Sequence, residues 1–369
     1  MDVCMTARFH TLLYSMSDKK KIVFIVNPIS GTSGKRFVIR LIEECLDKDK
    51  YTYDIAETEC VGHATLLAKE AASHGADVVC AVGGDGTVNE VACGLVHTDT
   101  ALAIIPSGSG NGLARHLSIP TDPLSAIHII NRGMVQAMDY GVLNGKPFFC
   151  TCGVGFDALI SQKFAESGKR GPVSYIENVL NSSLKYHPET YDVDIVSGGG
   201  QEEVHQSFKA FLISCANASQ YGNNVYIAPS ASVRDGLMNV TIIEPFTAIE
   251  APQMAIQLFN GTIEQNSRIK TFQCKRLLIK RKSPGVVHYD GEPMMTGENI
   301  DVRIMPGGLL CLSPLEEGVP AADKRFQNFI NEHLRMMYNK TEELLQDNLR
   351  ISQRFPLLNK DIIRKLSLK

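Results

Sequence analysis

Short runs of apolar, β-branched residues alternate with amphipathic segments over the first 140 residues of the chain. Runs at 21–26, 77–82 and 101–106 each end in residues rich in Gly, Ser, Thr or Asn, and a helix-like segment follows each of them. Residues 51–73 repeat the order of strand and helix. Strands that alternate with helices are typical of a parallel sheet covered by helices. The pattern predicts a three-layered, Rossmann-like α/β domain over residues 19–138.

Beyond residue 140 the pattern changes, because β-rich segments and turn signals dominate. Met138 to Leu143, the Asn144-Gly145 turn and Pro147 to Cys152 are typical of a hairpin. A helix-like insert lies near residues 172–185. This organisation predicts an antiparallel second domain over residues 139–315, a β-sandwich or flattened barrel. Its further predicted strands lie at 208–216, 238–243, 272–280, 286–289 and 300–304.

Helical spacing of apolar residues returns near the end of the chain, for example at Phe326 and Ile330. Residues 316–369 therefore form a predicted helical extension. The part from residue 321 onward holds ten Lys or Arg against six Asp or Glu, an excess that could favour an anionic membrane. Most amphipathic helices cover a core, so we expect the extension to dock on the first domain.

The composition of the 369 residues is that of an ordinary globular protein, with 44% hydrophobic and 21% charged residues. A formal net charge of −3 gives no reason to expect nucleic-acid binding. The close pair Cys150-x-Cys152 lacks the spacing of a metal knuckle, and we expect reduced thiols in a cytoplasmic protein. Residues 1–17 lack the apolar core of a secretory signal, and no run approaches the ~20 apolar residues that cross a bilayer. Any membrane contact is expected to be peripheral.

The stretch from Val82 to Glu90 is the most informative in the chain. Its glycines let the backbone approach an anion, and the amino end of the following helix favours negative charge. Asp85 is predicted to be catalytic and to bind Mg²⁺, since kinases hold this ion with one or two carboxylates and phosphate oxygens; helix capping by Asp85 is the structural alternative. The predicted nucleotide contacts here are Gly83, Gly84, Asp85, Gly86, Thr87, Asn89 and Glu90.

Two further turns, after the runs at 21–26 and 101–106, share this composition. Ligands of open α/β folds bind at the carboxyl ends of parallel strands. The three turns are therefore expected to lie side by side and to bind a nucleotide for phosphoryl transfer. The predicted contacts in the first turn are Asn27, Pro28, Ser30 and Gly31.

The motifs, taken in order, resemble those of the diacylglycerol kinase catalytic-domain family, which includes bacterial diacylglycerol kinases, sphingosine kinases and ceramide kinases. The resemblance spans about residues 21–313 and implies a lipid kinase that uses ATP and Mg²⁺, with an α/β domain like that of NAD kinase and diacylglycerol kinase. The matching motifs are Asn27-Pro-x-Ser-Gly31, Gly83-Gly-Asp-Gly-Thr87 with Asn89-Glu90, Gly108-Ser-Gly-Asn111-x-x-Ala114-Arg115, Gly153-x-Gly-Phe156 and Asp290-Gly-Glu292.

The resemblance also implies that Ser109 and Asn111 of the third turn line the nucleotide site, and it implies roles for residues outside the three turns. Thr58 would contact the adenosine side of the nucleotide. Asp290 or Glu292 would accept the proton of the lipid hydroxyl, although Asp-Gly is also the commonest hairpin signal. Asp235 and the backbone carbonyl of Leu237 would bind a structural Mg²⁺, and an ordinary turn is nearly as good an explanation.

The identity of the acceptor lipid stays open at this point. Sphingosine kinases place acidic residues shortly after the Gly-x-x-Ala step to meet the substrate amine, and here only Asp157 lies in that region. The Gly-Ser-Gly-Asn form of the third turn, in contrast, is closer to sphingosine and ceramide kinases. We expect diacylglycerol, converted to phosphatidic acid, and keep a long-chain base such as sphingosine, or ceramide, as the alternative.

Other classes of protein share parts of this pattern. An NAD kinase or a phosphofructo-type kinase would share the Gly-Gly-Asp-Gly turn, a non-catalytic nucleotide-sensing module would bind ATP without transfer, and a membrane scaffold would use the C-terminal helices. The expected partner is a lipid substrate at a membrane surface, met by a cytoplasmic, peripherally associated protein. A homodimer is an arrangement that the sequence leaves open.

Overall fold

The computed structural model describes residues 19–29, 35–167, 186–197 and 204–314. They fall into two compact units. The first contains the described residues up to Gly108, Ile119–Ala137 and the residues from Leu309 onward; the second contains Ser109–Ser118 and Met138–Gly308. The N-terminal residues 1–17, the predicted insert at 172–185 and the predicted helical extension at 316–369 lie outside the described residues.

The first unit alternates strands with helices. The strands β2, β1, β3 and β4 are neighbours in this order, and all three pairs are parallel. The end of the last strand, β16 (Asn299–Ser313), joins the same sheet, where Cys311 pairs in parallel with Leu102. The predicted α/β domain is confirmed. Its elements are β1 Lys20–Val26, α1 Lys35–Cys45, β2 Tyr51–Glu57, α2 His63–Ser73, β3 Val78–Gly83, α3 Asp85–Leu95, β4 Ala101–Pro106 and α5 Pro123–Arg132.

Burial explains why the central strands read as continuous apolar runs. Every residue of β3 and β4 is buried, as expected for parallel strands covered on both faces. The edge strand β2 instead mixes buried and exposed residues. Helix α5 was not predicted, although Asp122 accepts a hydrogen bond from the Ser125 amide at 2.9 Å and Pro123 begins the helix. An Asp-Pro pair at a helix start is a readable signal.

The second unit is built mainly from antiparallel strands. One sheet has the order β12, β11, β10, β7, β14 and β15. The other pairs β16, β13, β8 and β9, and the β5–β6 hairpin attaches to β16. Strand β5 begins in the first unit, and β16 ends in it. The elements are α4 Gly112–His116, β5 Met134–Leu143, β6 Lys146–Phe148, β7 Thr151–Gly155, α6 Phe156–Ser167, β8 Glu189–Val196, β9 Val204–Ala210, β10 Leu212–Ala216, β11 Met238–Ile243, α7 Ala251–Asn260, β12 Ile269–Cys274, β13 Arg276–Lys280, β14 Gly285–Tyr289, β15 Glu292–Thr296 and β16 Asn299–Ser313.

The core of this unit is a layer of apolar side chains drawn from both sheets. Tyr191 and Leu277 come from one sheet, and Val154 and Val240 come from the other; all four are almost completely buried in a single cluster. Two antiparallel sheets that share one apolar core form a sandwich. The predicted β-sandwich is confirmed.

Three predicted strands are longer than the strands of the structure. The run at 208–216 divides at Phe211 into β9 and β10, and the run at 272–280 divides at Lys275 into β12 and β13. In both cases the two halves belong to different sheets. The second strand of the predicted 138–152 hairpin likewise ends at Phe148, and the chain then enters β7 of the other sheet. No Gly, Pro, Asn or Asp lies at any of the three crossings, so the sequence carries no turn signal there.

Candidate functional site

The first and second turns of the α/β unit are joined by side chains. The side-chain amide of Asn27 donates a hydrogen bond to the hydroxyl of Thr87 at 3.1 Å, and its carbonyl oxygen accepts one from the amide of Ile29 at 3.0 Å. Asn27 follows β1, and Thr87 lies in the first turn of α3. The two predicted nucleotide contacts are therefore held against each other.

The second and third turns meet through backbone. The Ser107 amide donates to the carbonyl of Gly83 at 2.8 Å, and a Cβ built on Gly84 would lie only 3.1 Å from the Cα of Gly108. A side chain at Gly83 would overlap Thr87, and one at Gly84 would require the backbone at Gly108 to shift, which explains the two glycines. The prediction that the three turns lie side by side is confirmed for the residues with which they begin, 27–29, 83–87 and 107–108.

Asp85 begins the eleven-residue helix α3 at this edge of the sheet. Gly84 occupies the capping position before it in extended backbone and has no side chain with which to cap the helix. Asp85 is partly buried, whereas Gly86 is exposed. A helix that begins behind a glycine at the edge of a parallel sheet suits an anion, and one adjacent carboxylate suits a phosphate-bound Mg²⁺. The residues present thus fit the predicted nucleotide and cation.

Glu90 has a structural role that the sequence did not reveal. Its two carboxylate oxygens accept hydrogen bonds from the amides of Gly62 at 2.9 Å and Ala64 at 3.1 Å, at the amino end of α2. Its backbone carbonyl also accepts from the hydroxyl of Thr65 at 2.8 Å. Glu90 thus ties α3 to the start of α2, and nucleotide contact by this side chain stays a prediction.

The remaining predicted nucleotide contacts of the first unit differ in burial and in their position relative to the strands. Thr58 directly follows β2, and its amide donates to the carbonyl of Val26 at 2.9 Å. Asn89 is buried in α3, and Pro28 is exposed beside Asn27. The calls on Ser30 and Gly31 lie outside the described residues.

In the second unit, the third turn continues into α4. Asn111 is buried and left-handed (φ 53°) at the start of this helix, whereas Ser109 is exposed. Arg115 donates from Nε to the carbonyl of Gly110 at 3.0 Å and from its guanidinium to Asn224 Oδ1 at 3.4 Å. Arg115 is therefore bound within its own unit.

The Asp290-Gly291 pair forms a tight turn between β14 and β15. Both residues have positive φ (47° and 86°), which is the backbone of a two-residue hairpin turn. The Asp290 carboxylate accepts hydrogen bonds from three successive backbone amides, those of residues 149, 150 and 151, at 2.8, 2.8 and 3.1 Å. Glu292, two residues on, is exposed. The structure thus separates two carboxylates that the sequence left equivalent.

The side chain of Asp157 is hydrogen-bonded within the second unit. Its Oδ2 accepts from the hydroxyl of Tyr221 at 3.1 Å and lies 3.0 Å from Nε2 of His288. Its Oδ1 accepts from the amide of Ala158 at 2.8 Å. The side chains of Asp157 and His288 are only 9% and 2% exposed. Sequence reasoning missed His288 entirely, since a lone histidine in a strand carries no signal.

Asp235, a predicted cation ligand, is exposed in a turn before β11. Its Oδ1 accepts from the amide of Leu237 at 3.0 Å, and its Oδ2 accepts from the side chain of Gln273 at 3.2 Å. The buried carboxylate of Asp139 accepts from the amides of Gly236 and Gly307, both at 2.7 Å. Among the described residues no group of three or more His, Cys, Asp or Glu side chains is placed to hold a metal ion. A structural Mg²⁺ at Asp235 and Leu237 stays a prediction.

His116 in α4 is held by the loop that follows β10. Its Nδ1 lies 3.0 Å from the hydroxyl of Ser219 and accepts a hydrogen bond from the Ser219 amide at 3.2 Å. Burial, and to a lesser extent the charge of Arg234, lowers the pKa of His116 to about 4.

Comparison with known proteins gives two adjoining family matches. The diacylglycerol kinase catalytic domain matches residues 21–143, and the YegS C-terminal NAD kinase beta sandwich-like domain matches residues 150–313. In the described part of the chain, no helix is long and apolar enough to cross a membrane.

Curated relatives and solved structures agree with these matches. The chain is 27% identical to a diacylglycerol kinase of Bacillus subtilis over 290 residues, which are 77% of this chain and 94% of that protein. It is 29% identical over 259 residues to a protein of Chromohalobacter salexigens named "Probable lipid kinase YegS-like", covering 69% of this chain and 81% of that protein. A crystal structure of a diacylglycerol kinase from Bacillus anthracis has a similar fold, with a TM-score of 0.61 at 21% identity over 81% of this chain and 98% of that one.

Proposed function

Because the chain belongs to the diacylglycerol kinase catalytic-domain family and is a lipid kinase, we propose that it transfers the γ-phosphoryl group of ATP to the free hydroxyl of diacylglycerol. The product is phosphatidic acid. The observation that carries the nucleotide half of the proposal is the edge of the α/β sheet where three glycine-rich turns adjoin the start of α3. Backbone amides and a helix start at one place suit a polyphosphate.

Asp85 is the residue that we assign to the cation. Mg²⁺ usually keeps several waters and takes one or two protein carboxylates together with phosphate oxygens. Asp85 is the acidic residue in the first turn of α3. When bound, the ion would offset the negative charge that builds on the transferred phosphoryl group.

Glu292 is the residue that we assign as the proton acceptor for the lipid hydroxyl. A general base needs a carboxylate that can take up a proton. The Asp290 carboxylate already accepts three backbone hydrogen bonds, and protonation would disrupt them. Glu292 is exposed at the start of β15. This contrast favours Glu292 as the base and Asp290 as the residue that holds the turn.

The surroundings of Asp157 favour diacylglycerol over a long-chain base. A long-chain base carries an amine, which would require a carboxylate for recognition. Asp157 is instead bound to Tyr221, His288 and its neighbouring amide, and its side chain is 9% exposed. A neutral acceptor such as diacylglycerol does not require this carboxylate.

The test is a labelling assay with γ-labelled ATP, Mg²⁺ and mixed micelles that contain diacylglycerol, sphingosine and ceramide. We expect label in phosphatidic acid. Asp85→Asn should reduce turnover by about two orders of magnitude or more while the melting temperature is unchanged, because the change alters charge and little else. Asp99→Asn, at an exposed site beyond α3, is the matched control and should behave as the wild type. Label in sphingosine or ceramide would overturn the choice of acceptor, and the absence of label from every lipid would overturn the proposed function.

A further inference from the structure

A buried polar group lies directly beneath the hairpin that carries Glu292. It consists of Asp157 at the start of α6, His288 in β14 and Tyr221 in the loop after β10, and we call it the Asp157 cluster. All three side chains meet at Oδ2 of Asp157, with Tyr221 Oη at 3.1 Å and His288 Nε2 at 3.0 Å. No step of the proposed reaction uses these groups.

The local sequence explains how a carboxylate reaches this place. His288 in β14 is in register with Gly153 of the neighbouring strand β7. A Cβ on Gly153 would overlap Oδ2 of Asp157, so the missing side chain provides the space that the carboxylate occupies. Gly155, with φ of 100°, turns the chain from β7 into α6 and brings Asp157 back over the sheet. The Gly153-Val-Gly-Phe-Asp157 segment thus seats an acid beside His288.

The hydrogen bonds also fix the orientation of the imidazole ring. An ionised carboxylate only accepts, so Nε2 of His288 donates to Asp157. Nδ1 is buried and has no hydrogen-bond partner among the described residues. A buried acceptor without a partner is a cost to folding, and an apolar ring would avoid it. Stability alone therefore does not account for a histidine at this position.

The β14–β15 hairpin is held by hydrogen bonds at three places along its length. Strand β15 is the last strand of its sheet, and β14 joins β7 through three residue pairs. Asp290 fixes the tip of the hairpin through the amides of residues 149 to 151, and Arg281 fixes its open end by donating to the carbonyls of Gly285 and Thr296. His288 fixes the middle, and its partner across the hairpin is Pro293, the neighbour of Glu292. Helix α6 packs on both strands.

We propose that His288 is a positioning residue that holds the β14–β15 hairpin against α6 through Asp157, and so keeps the Glu292 carboxylate in place for proton transfer. This inference rests on the proposed function, in which Glu292 is the base. A catalytic carboxylate on an edge strand needs such support, since a small displacement reduces the rate of transfer.

The experiment compares His288→Gln with His288→Phe. The Nε2 of Gln reaches about as far as that of His and can still donate to Asp157, whereas Phe fills the space without a donor. We expect His288→Phe to lower kcat by about 10- to 100-fold with the KM for ATP and for lipid within about twofold, and His288→Gln to stay within about threefold of wild type. The pH profile of kcat should shift in His288→Phe, because the surroundings of the base change.

A double variant shows whether His288 acts through Glu292. In the Glu292→Gln background, His288→Phe should cause no further loss of kcat, since the group that it positions is already gone. An equal loss in both backgrounds, an unchanged kcat in His288→Phe, or a higher KM for lipid at unchanged kcat would overturn the proposal. If His288→Phe fails to fold, Tyr221→Phe, which removes a donor to Asp157, should lower kcat in the wild-type background and leave it unaltered in Glu292→Gln. Wild-type labelling of diacylglycerol tests the proposed function separately.

Discussion

The side-chain amide of Asn27 donates to the hydroxyl of Thr87 at 3.1 Å, across 60 positions of sequence. Asn27 ends the first strand, and Thr87 lies in the first turn of the helix that follows the third. The bond thus joins two turns that the sequence presents as separate motifs. It keeps the two parts of the predicted phosphate site at a fixed spacing.

Thr87→Val should weaken nucleotide binding more than it weakens the fold. Valine keeps the volume and removes the hydroxyl that accepts from Asn27. We expect the KM for ATP to rise about tenfold, and the free energy of unfolding to fall by about 0.5–1.5 kcal/mol, the usual worth of one hydrogen bond. Steady-state kinetics and urea denaturation measure both, and Thr121→Val, at an exposed site in the same unit, is the control. An unchanged KM would mean that this spacing does not matter for ATP.

Glu90→Ala should destabilise the first unit. The carboxylate accepts two amides at the start of α2, and removing it leaves both without this partner. We expect a loss of about 1–3 kcal/mol in the free energy of unfolding. The control is Glu70→Ala, at an exposed position of α2, which should change the free energy of unfolding little. Normal stability together with lost ATP binding would instead identify Glu90 as a nucleotide contact.

Asp290→Asn and Glu292→Gln should separate structure from chemistry within one turn. An amide at 290 keeps one acceptor oxygen where the carboxylate serves three backbone amides, so we expect a lower melting temperature. Glu292→Gln should leave the melting temperature unchanged and reduce kcat by about two orders of magnitude or more. The reverse pattern, with turnover lost in a fully stable Asp290→Asn and retained in Glu292→Gln, would exchange the two roles.

His116 should make stability depend on pH. Its folded pKa of about 4 lies below the ordinary value of 6.5, so the unfolded chain binds more protons between these two values. The stability contribution is therefore complete above about pH 6.5 and is lost as the pH falls toward 4. A shift from 6.5 to about 4 corresponds to at most about 3–4 kcal/mol, and the contribution is smaller than this because the residue keeps some solvent exposure. Denaturation between pH 7 and pH 4 should show a shallower slope for His116→Gln than for the exposed control His128→Gln.

The α/β unit followed closely from the sequence pattern, and the β-sandwich did so only in outline. Strands β3 and β4 are buried on both faces, and their continuous apolar runs mark them plainly. In the second unit the chain passes from one sheet to the other at Phe211 and at Lys275, and no Gly, Pro, Asn or Asp marks either crossing. The alternation of apolar and polar residues records which side faces a core, and it does not record which sheet supplies the neighbours.

The alternation of strands and helices, the three glycine-rich turns and the acidic pair at 290 and 292 could all be read from residue order, because each is a local pattern of backbone freedom or burial. The contacts of their side chains could be learned only from the folded chain. It placed Glu90 at the start of α2, gave Asp290 three backbone amides, and brought Asp157 to His288 across 131 positions of sequence. Hydrogen bonds of this kind depend on strand register and on which elements pack together, and no local pattern of residues contains that information.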